Sequence, residues 1–139
     1  MSYAALHWIK TLFRQLPKQP QKDALGQRGE NAAAKFLRNA GYKIICRNFR
    51  CGVGEIDIVA RDGKTLVFAE VKTRVDDEPT PEDQVNPTKQ HQLTKAARFY
   101  LCRYGTPQPP ARFDVIAVVW PTGRTPRIRH TKDAFEATF

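Results

Sequence analysis

The chain is expected to fold as an α/β domain with a mixed central sheet flanked by helices, on three observations. A tight β-hairpin is signalled by Gly54-Glu55-Ile56-Asp57-Ile58-Val59-Ala60, a turn at Asp62-Gly63, and Leu66-Val67-Phe68-Ala69-Glu70-Val71-Lys72. Asp-Gly between two apolar-alternating runs is the strongest short hairpin signal, because both turn residues adopt positive φ. Helix-period apolar stripes stand before and after that hairpin. The run Phe113–Trp120 is nearly all apolar apart from Asp114, as expected of a strand covered on both faces.

Taken in order, residues 4–16 place Leu6, Ile9, Phe13 and Leu16 around Lys10 and Arg14, the spacing of a short amphipathic helix. Pro17 and Pro20 break it in a polar linker from Pro17 to Asp23. This gives an N-terminal segment, 1–23, and a single domain, 24–139. Residues 25–40 form a helix with Leu25, Ala33, Phe36, Leu37 and Ala40 inward, stopped by Gly41 at the C′ position. Glu30 sits at the edge of its buried stripe, where a carboxylate needs a partner.

A strand at Lys43–Phe49 precedes the hairpin, and an acidic, proline-containing loop from Val75 to Val85, expected to be mobile, follows it. The second helix opens with Asn86 as N-cap and Pro87 at its first position. It turns Leu93, Ala96, Ala97, Tyr100 and Leu101 inward and stops at Gly105. A proline-rich loop leads to the Phe113–Trp120 strand, and a short strand near Arg127–Arg129 completes the order α-β-β-β-α-β-β. No internal repeat or low-complexity segment interrupts it.

Length and composition narrow the function classes. At 139 residues the chain can bury a core without disulfides or structural metal. Its 23 Lys and Arg against 14 Asp and Glu give a net charge of +9, which suggests a polyanionic partner, nucleic acid before anionic membrane. The three cysteines (Cys46, Cys51, Cys102) contain no C-x-x-C, and His7, His91 and His130 are scattered without zinc-site spacing. Reduced cysteines, no membrane-length apolar run and no signal-peptide pattern point to a cytoplasmic protein.

The hairpin carries the chemistry. With Asp62 and Gly63 as the loop, Arg61 pairs with Lys64, Asp57 lies opposite Phe68 and Glu55 opposite Glu70. Alternation then puts Glu55, Asp57, Glu70 and Lys72 on one face and Ile56, Ile58, Val67, Ala69 and Val71 on the other. Like charges opposite one another destabilise a sheet unless a cation lies between them. Magnesium takes oxygen ligands, usually one or two carboxylates with water and phosphate oxygens. Asp57 and Glu70, as diagonal neighbours roughly 7–8 Å apart at Cα, can close on one ion. Lys72 points the same way and can orient the attacking water or stabilise transition-state charge. A solvated face laced by Glu–Lys pairs is the alternative, but three acids against one lysine is a poor salt-bridge design.

Glu30 on the first helix, Asp57 on the second strand and Glu70-Val71-Lys72 on the third resemble the PD-(D/E)xK nuclease superfamily. That superfamily has an α-β-β-β-α-β core and includes restriction endonucleases and archaeal Holliday-junction resolvases. More closely, Gly26-Gln27-Arg28-Gly29-Glu30, Gly41-Tyr42, Arg47-Asn48-Phe49-Arg50, Gly54-Glu55-Ile56-Asp57-Ile58-Val59 and Phe68-Ala69-Glu70-Val71-Lys72-Thr73-Arg74 resemble the YraN-type bacterial family, which is assigned to the superfamily by its motifs. The resemblance covers about residues 24 to 135 and implies a restriction-endonuclease-like core. It implies Asp57, Glu70 and the Val71 carbonyl as ligands of Mg2+, with Mn2+ as a substitute. Lys72 becomes the catalytic lysine and Glu30 an auxiliary acid; Glu55 is added from the hairpin register.

Ile56 replaces the proline of the superfamily motif. The Gln-x-x-x-Tyr motif of the RecB-like branch is missing, since Thr94 and Ala96 stand four residues after Gln90 and Gln92. Lys89 shares the inward face of the second helix and could reach the phosphate. Arg47, Arg50, Arg74, Lys95 and Arg98 are candidates for phosphate contacts, which would make binding salt-dependent.

Three readings follow. The first is a Mg2+-dependent endonuclease acting on DNA rather than RNA, on branched or otherwise structured substrates, with a homodimer favoured if two strands are cut symmetrically. The second is a nucleic-acid-binding module of the same fold without turnover. The third is an interaction protein that uses the N-terminal amphipathic segment.

Overall fold

The computed structural model describes residues 22–137, so the expected helix over 4–16 lies outside the described residues. The elements are α1 (Ala24–Asn39), β1 (Lys43–Cys51), β2 (Gly54–Asp62), β3 (Thr65–Arg74), a 3-10 turn (Pro81–Gln84), α2 (Pro87–Leu101), β4 (Ala111–Val119) and β5 (Arg127–Phe135). They form one five-stranded sheet in the order β1-β2-β3-β4-β5. The β1–β2–β3 meander is antiparallel, α2 crosses over to make β4 parallel to β3, and β5 returns antiparallel. This is the expected mixed α/β core. No described helix is long and apolar enough to cross a membrane.

Local chemistry places the helix ends. Asp23 Oδ1 accepts the Gly26 N–H at 2.7 Å and so caps α1, tying Asp23 to the helix. At the other end the Tyr42 N–H reaches the Leu37 carbonyl at 2.9 Å and the Gly41 N–H reaches Arg38 at 3.0 Å. That is a Schellman closure, and Gly41 takes the left-handed φ of +92° that it requires. Asn86 accepts the Lys89 N–H at 3.0 Å and caps α2, with Pro87 in its first turn.

The hairpin register differs from the expected one by two residues. Asp62 pairs with Thr65 and Arg61 with Leu66, so the loop is Gly63-Lys64. Only Gly63 has positive φ, +59°, which is the glycine-first pattern of a type II′ turn rather than the Asp-Gly type I′ loop. A two-residue slip keeps every side chain on its face. The alternation breaks, however, at Asp57. Ile56 packs with Phe49, Val59, Phe68 and the α2 side chains Leu93, Ala97 and Tyr100. Ile58, two residues on, packs on the other layer with Ala33, Leu37, Val67 and Ala69. Across the sheet Asn48 holds a φ of +53°, between the pairs Phe49–Ile56 and Arg47–Ile58.

Contrary to the expected alternation, Ile56 therefore does not share a face with Ile58, and both faces of the hairpin are covered, one by α1 and one by α2. Two further expectations change. β5 runs to Phe135 instead of ending near Arg129, because its polar alternation suits a half-exposed edge strand. The acidic loop is held: Arg129 donates to Asp77 at 2.6 and 2.7 Å and to Glu82 at 2.8 and 2.9 Å, and Arg74 donates to Gln84.

Close approach of α1 to β3 depends on Gly29. A Cβ there would stand 1.8 Å from Thr73 Oγ1 and 2.7 Å from Thr73 Cβ. Gly29→Ala should therefore destabilise the fold by about 1–3 kcal/mol through overpacking, despite the roughly 1 kcal/mol that alanine gains in helix propensity. Chemical denaturation of Gly29→Ala beside Gly29→Ala/Thr73→Ala checks this: removing the Thr73 branch should recover part of the loss, and the Cβ that remains 2.7 Å away should keep the double variant below wild type.

Candidate active site

The two helices and the forked hairpin enclose a cleft of about 320 Å3. Its walls bring together Glu30, Glu55, Asp57, Glu70, Val71, Lys72, Arg74 and Lys89 from the sequence reading, and add Lys22, Asp23, Gly26 and Thr73. The β2–β3 ladder ends at Ile58–Ala69. Asp57 and Glu70 are the next residues, at the point where the strands part. Asp57 Oδ2 accepts the Val71 N–H at 2.8 Å, in place of a ladder bond. In extended backbone the N–H and C=O of one residue face the same neighbour, so the Val71 carbonyl also leans toward this fork.

Three acids are buried here: Glu30 is 1% exposed, Asp57 6% and Glu70 4%. Buried carboxylates require partners. Glu30 is fully supplied: it accepts from Arg47 Nε at 3.0 Å, from Asn48 Nδ2 at 2.9 Å and from Lys22 Nζ. The left-handed turn at Asn48 delivers that amide, which explains an irregularity in the middle of β1. Lys22 Nζ also reaches Asp57 Oδ1 at 2.8 Å and so bridges two acids. Burial favours the neutral amine, but Asp57 and Glu30 outweigh it and hold Lys22 protonated.

Glu70 is less well matched. Lys89 Nζ stands 3.3 Å and Lys72 Nζ 3.5 Å from Glu70 Oε1. Burial and the Asp57 charge nevertheless push the Glu70 carboxyl up to about 7, against the pull of Lys89 and Lys72. Burial and mutual repulsion thus disfavour two ionised carboxylates at this fork, a cost that a bound divalent cation would relieve. Among the described residues no three His, Cys, Asp or Glu side chains form a ready-made metal cage. The donor set fits a hard cation that uses two carboxylates and a carbonyl and keeps waters or phosphate oxygens for the rest.

Placement of the proposed phosphate contacts is uneven. Arg74 and Lys89 line the cleft. Arg47 lies behind it, donating to Glu30 and to Asn31 Oδ1 at 2.7 Å. Arg50 pairs with Glu55 at 3.5 Å. Lys95 and Arg98 are exposed on α2 and do not line the cleft. Sequence reasoning missed Lys22, which fell within the polar linker. A signal existed, since Lys22 immediately precedes the Asp23 cap, eight residues before Glu30, and so stands at the helix entrance rather than in a linker.

Fold and cleft together define an α/β protein with a restriction-endonuclease-like core and a buried acid–lysine cluster at a strand fork. The chain belongs to the Uncharacterised protein family UPF0102, whose profile matches residues 29–118. It is 53% identical over 116 residues to a UPF0102 protein of Geobacter sulfurreducens, covering 83% of this chain and 91% of that one. A UPF0102 protein of Geotalea uraniireducens is 47% identical over 117 residues, 84% of this chain and 92% of the relative. One from Symbiobacterium thermophilum is 49% identical over 115 residues, 81% and 97% respectively. Glu30, Asp57, Glu70, Lys72 and Lys89 all fall within the family match, whereas Lys22 precedes it.

Proposed function

We propose that this protein is a Mg2+-dependent phosphodiesterase of the PD-(D/E)xK type acting on DNA. The observation that carries this reading is the convergence of buried Asp57 and Glu70 with Lys72 at the end of the β2–β3 ladder, in a cleft edged by Arg74 and Lys89. Asp57, Glu70 and the Val71 carbonyl would hold the ion, which when bound lowers the pKa of a coordinated water and polarises a phosphoryl oxygen.

The chain's own groups supply the remaining tasks. Lys72, next to Glu70, orients the attacking water and balances charge that develops on the phosphorus oxygens. Lys89 and Arg74, which also line the cleft, hold the flanking phosphate. Glu30 acts at a remove: with Arg47 and Asn48 it fixes α1 against β1 and places Lys22 beside Asp57. The basic balance of the chain supports a polyanionic substrate and strongly salt-dependent binding.

The test is calorimetric titration of Mn2+ into wild type and Asp57→Asn, followed by Mg2+-dependent cleavage assays on single-stranded, duplex, flapped and four-way DNA. Saturable heat in wild type that disappears in the variant is expected; no heat in wild type overturns the metal site. The Lys22 bridge favours a second reading, a nucleic-acid-binding module without turnover, in which a protein ammonium neutralises the acids. Metal binding without cleavage of any of these substrates selects it. Under the first reading Lys22 competes with the incoming cation. Lys22→Met should then bind Mn2+ several-fold more tightly than wild type in the same titration, since about 1 kcal/mol of repulsion is removed.

A further inference from the structure

A second concavity lies on the opposite side of α1 and differs in chemistry from the acidic cleft. Its volume is about 560 Å3, within the range of sites for small planar ligands. Phe36 from α1, Trp120 after β4, and Pro126 and Ile128 around the start of β5 form a half-buried apolar floor. Arg28 and Lys35 stand exposed at the rim, and no carboxylate lines it. The Arg28 guanidinium lies 4.1 Å over the Trp120 ring. The indole N–H already donates to the Arg124 carbonyl at 2.8 Å. The ring is thus fixed with its polar edge satisfied and one face covered by Arg28, so a base would stack on the exposed guanidinium plane that the indole supports.

We propose that this groove is a base-stacking subsite for single-stranded DNA, holding an unpaired base of the strand whose phosphates occupy the cleft. The inference rests on the nucleic-acid reading above. Aromatic faces combined with cationic rims are what sequence-tolerant single-strand binding requires, stacking for the base and charge for the backbone. The stretch beside the groove adds to this charge: no Asp or Glu occurs between Asp114 and Asp133, and Arg124 and Arg127 lie in it, while Arg129 is engaged by Asp77 and Glu82. The groove and the candidate active site flank the same helix, α1, and the paired ends of β3 and β4. Asn31 lines the groove and Glu30, its neighbour, lines the cleft. The Trp120 N–H donates to the carbonyl of Arg74, a cleft residue, at 2.7 Å.

The competing occupant is the chain's own N-terminal segment, which carries Leu6, Ile9, Phe13 and Leu16. Residues 1–21 contain Lys10, Arg14 and Lys18 and no acid, so that segment would bring like charge to a cationic rim. DNA brings the opposite charge.

The test uses the full chain carrying Trp8→Phe, which leaves Trp120 as its single tryptophan. An oligo-dT strand is titrated without divalent metal, following tryptophan emission and the anisotropy of a labelled strand. Quenching of Trp120 in step with binding is expected. Trp120→Ala, and separately the exposed pair Arg28→Glu/Lys35→Glu, should each weaken binding by about 5- to 100-fold, with Mn2+ affinity at Asp57 unchanged. Undiminished binding by both variants, with unquenched Trp120, overturns the subsite and leaves the cleft reading intact. No binding of DNA by any form overturns both. A red shift of Trp120 emission on Ile9→Ser/Phe13→Ser without DNA assigns the groove to the N-terminal segment and overturns the proposal.

Discussion

Asp57→Asn is expected to abolish divalent-metal binding in the cleft and to lower metal-dependent cleavage by at least about 10²- to 10³-fold, with DNA affinity within a few-fold of wild type. The substitution is chosen for its geometry. Asparagine has the size of aspartate and can still accept the Val71 N–H, so the fork between β2 and β3 keeps its local bond. Lys22 retains Glu30 as a partner and is partly exposed, so the variant should melt close to wild type. What is lost is one full negative charge at the fork. A parallel Glu70→Gln variant should fail in the same way, because each acid alone provides only half of the charge. Single-turnover cleavage, Mn2+ calorimetry and a thermal melt on the same samples separate chemistry, metal binding and folding. A variant that retains Mn2+ affinity would remove Asp57 from the ligand set whatever its activity.

Much of this site was legible because its members lie on elements with strong local signals. Glu30 stands on a helix stopped by Gly41, Lys89 in the first turn of a helix opened by Asn86-Pro87, and Asp57, Glu70 and Lys72 on strands joined by a glycine turn. The parts that were not legible depend on contacts between distant residues. Whether Asp62 or Gly63 opens the loop is decided by which residue takes positive φ, and both choices suit an Asp-Gly pair. Either choice keeps the faces, so the acids converge even from the wrong register.

The reversal between Ile56 and Ile58 has no periodic signature, because both residues are isoleucine and both are buried. It follows from Asn48 on the neighbouring strand. Arg47 reads in sequence as a free cation suited to phosphate, but folding brings it to Glu30, 17 residues away. Its charge helps to build the site from behind. Lys22 was hidden by composition, since a lysine among prolines and glutamines resembles a linker until Asp23 is recognised as a helix cap.

The same reasoning singles out Asp114, the one polar interruption of the run Phe113–Trp120, as the residue whose loss should most damage the fold. It is completely buried, at 0% exposure. Arg112 donates to it at 3.0 and 3.3 Å, the Asp133 N–H at 3.0 Å, and His130 Nε2 lies 2.7 Å away. An ionised carboxylate only accepts, so His130 carries its proton on Nε2. Arg112 also donates to Asp62 at 3.0 Å and to the Tyr42 hydroxyl at 2.9 Å, joining β4 to the hairpin end and to the turn after α1. Asp114 thus anchors the β4–β5 bulge, where Asp133 takes a φ of +51°.

Removing one partner from such a buried ionic network costs about 3–5 kcal/mol, because the remaining charges stay desolvated. Asp114→Asn should lower the melting temperature by roughly 10 °C or more. The pH dependence carries the sign. Burial raises the Asp114 carboxyl, but the bonds from His130, Arg112 and the Asp133 N–H outweigh it and leave the pKa below its ordinary value. A depressed folded pKa means that this contribution is complete above the unfolded value of about 3.9 and is lost as pH falls below it. Urea denaturation from pH 7 down to pH 3 should show wild type losing stability steeply below about pH 4. Asp114→Asn should start lower and fall less over the same interval, and parallel profiles would show that Asp114 is not the group whose protonation opens the fold.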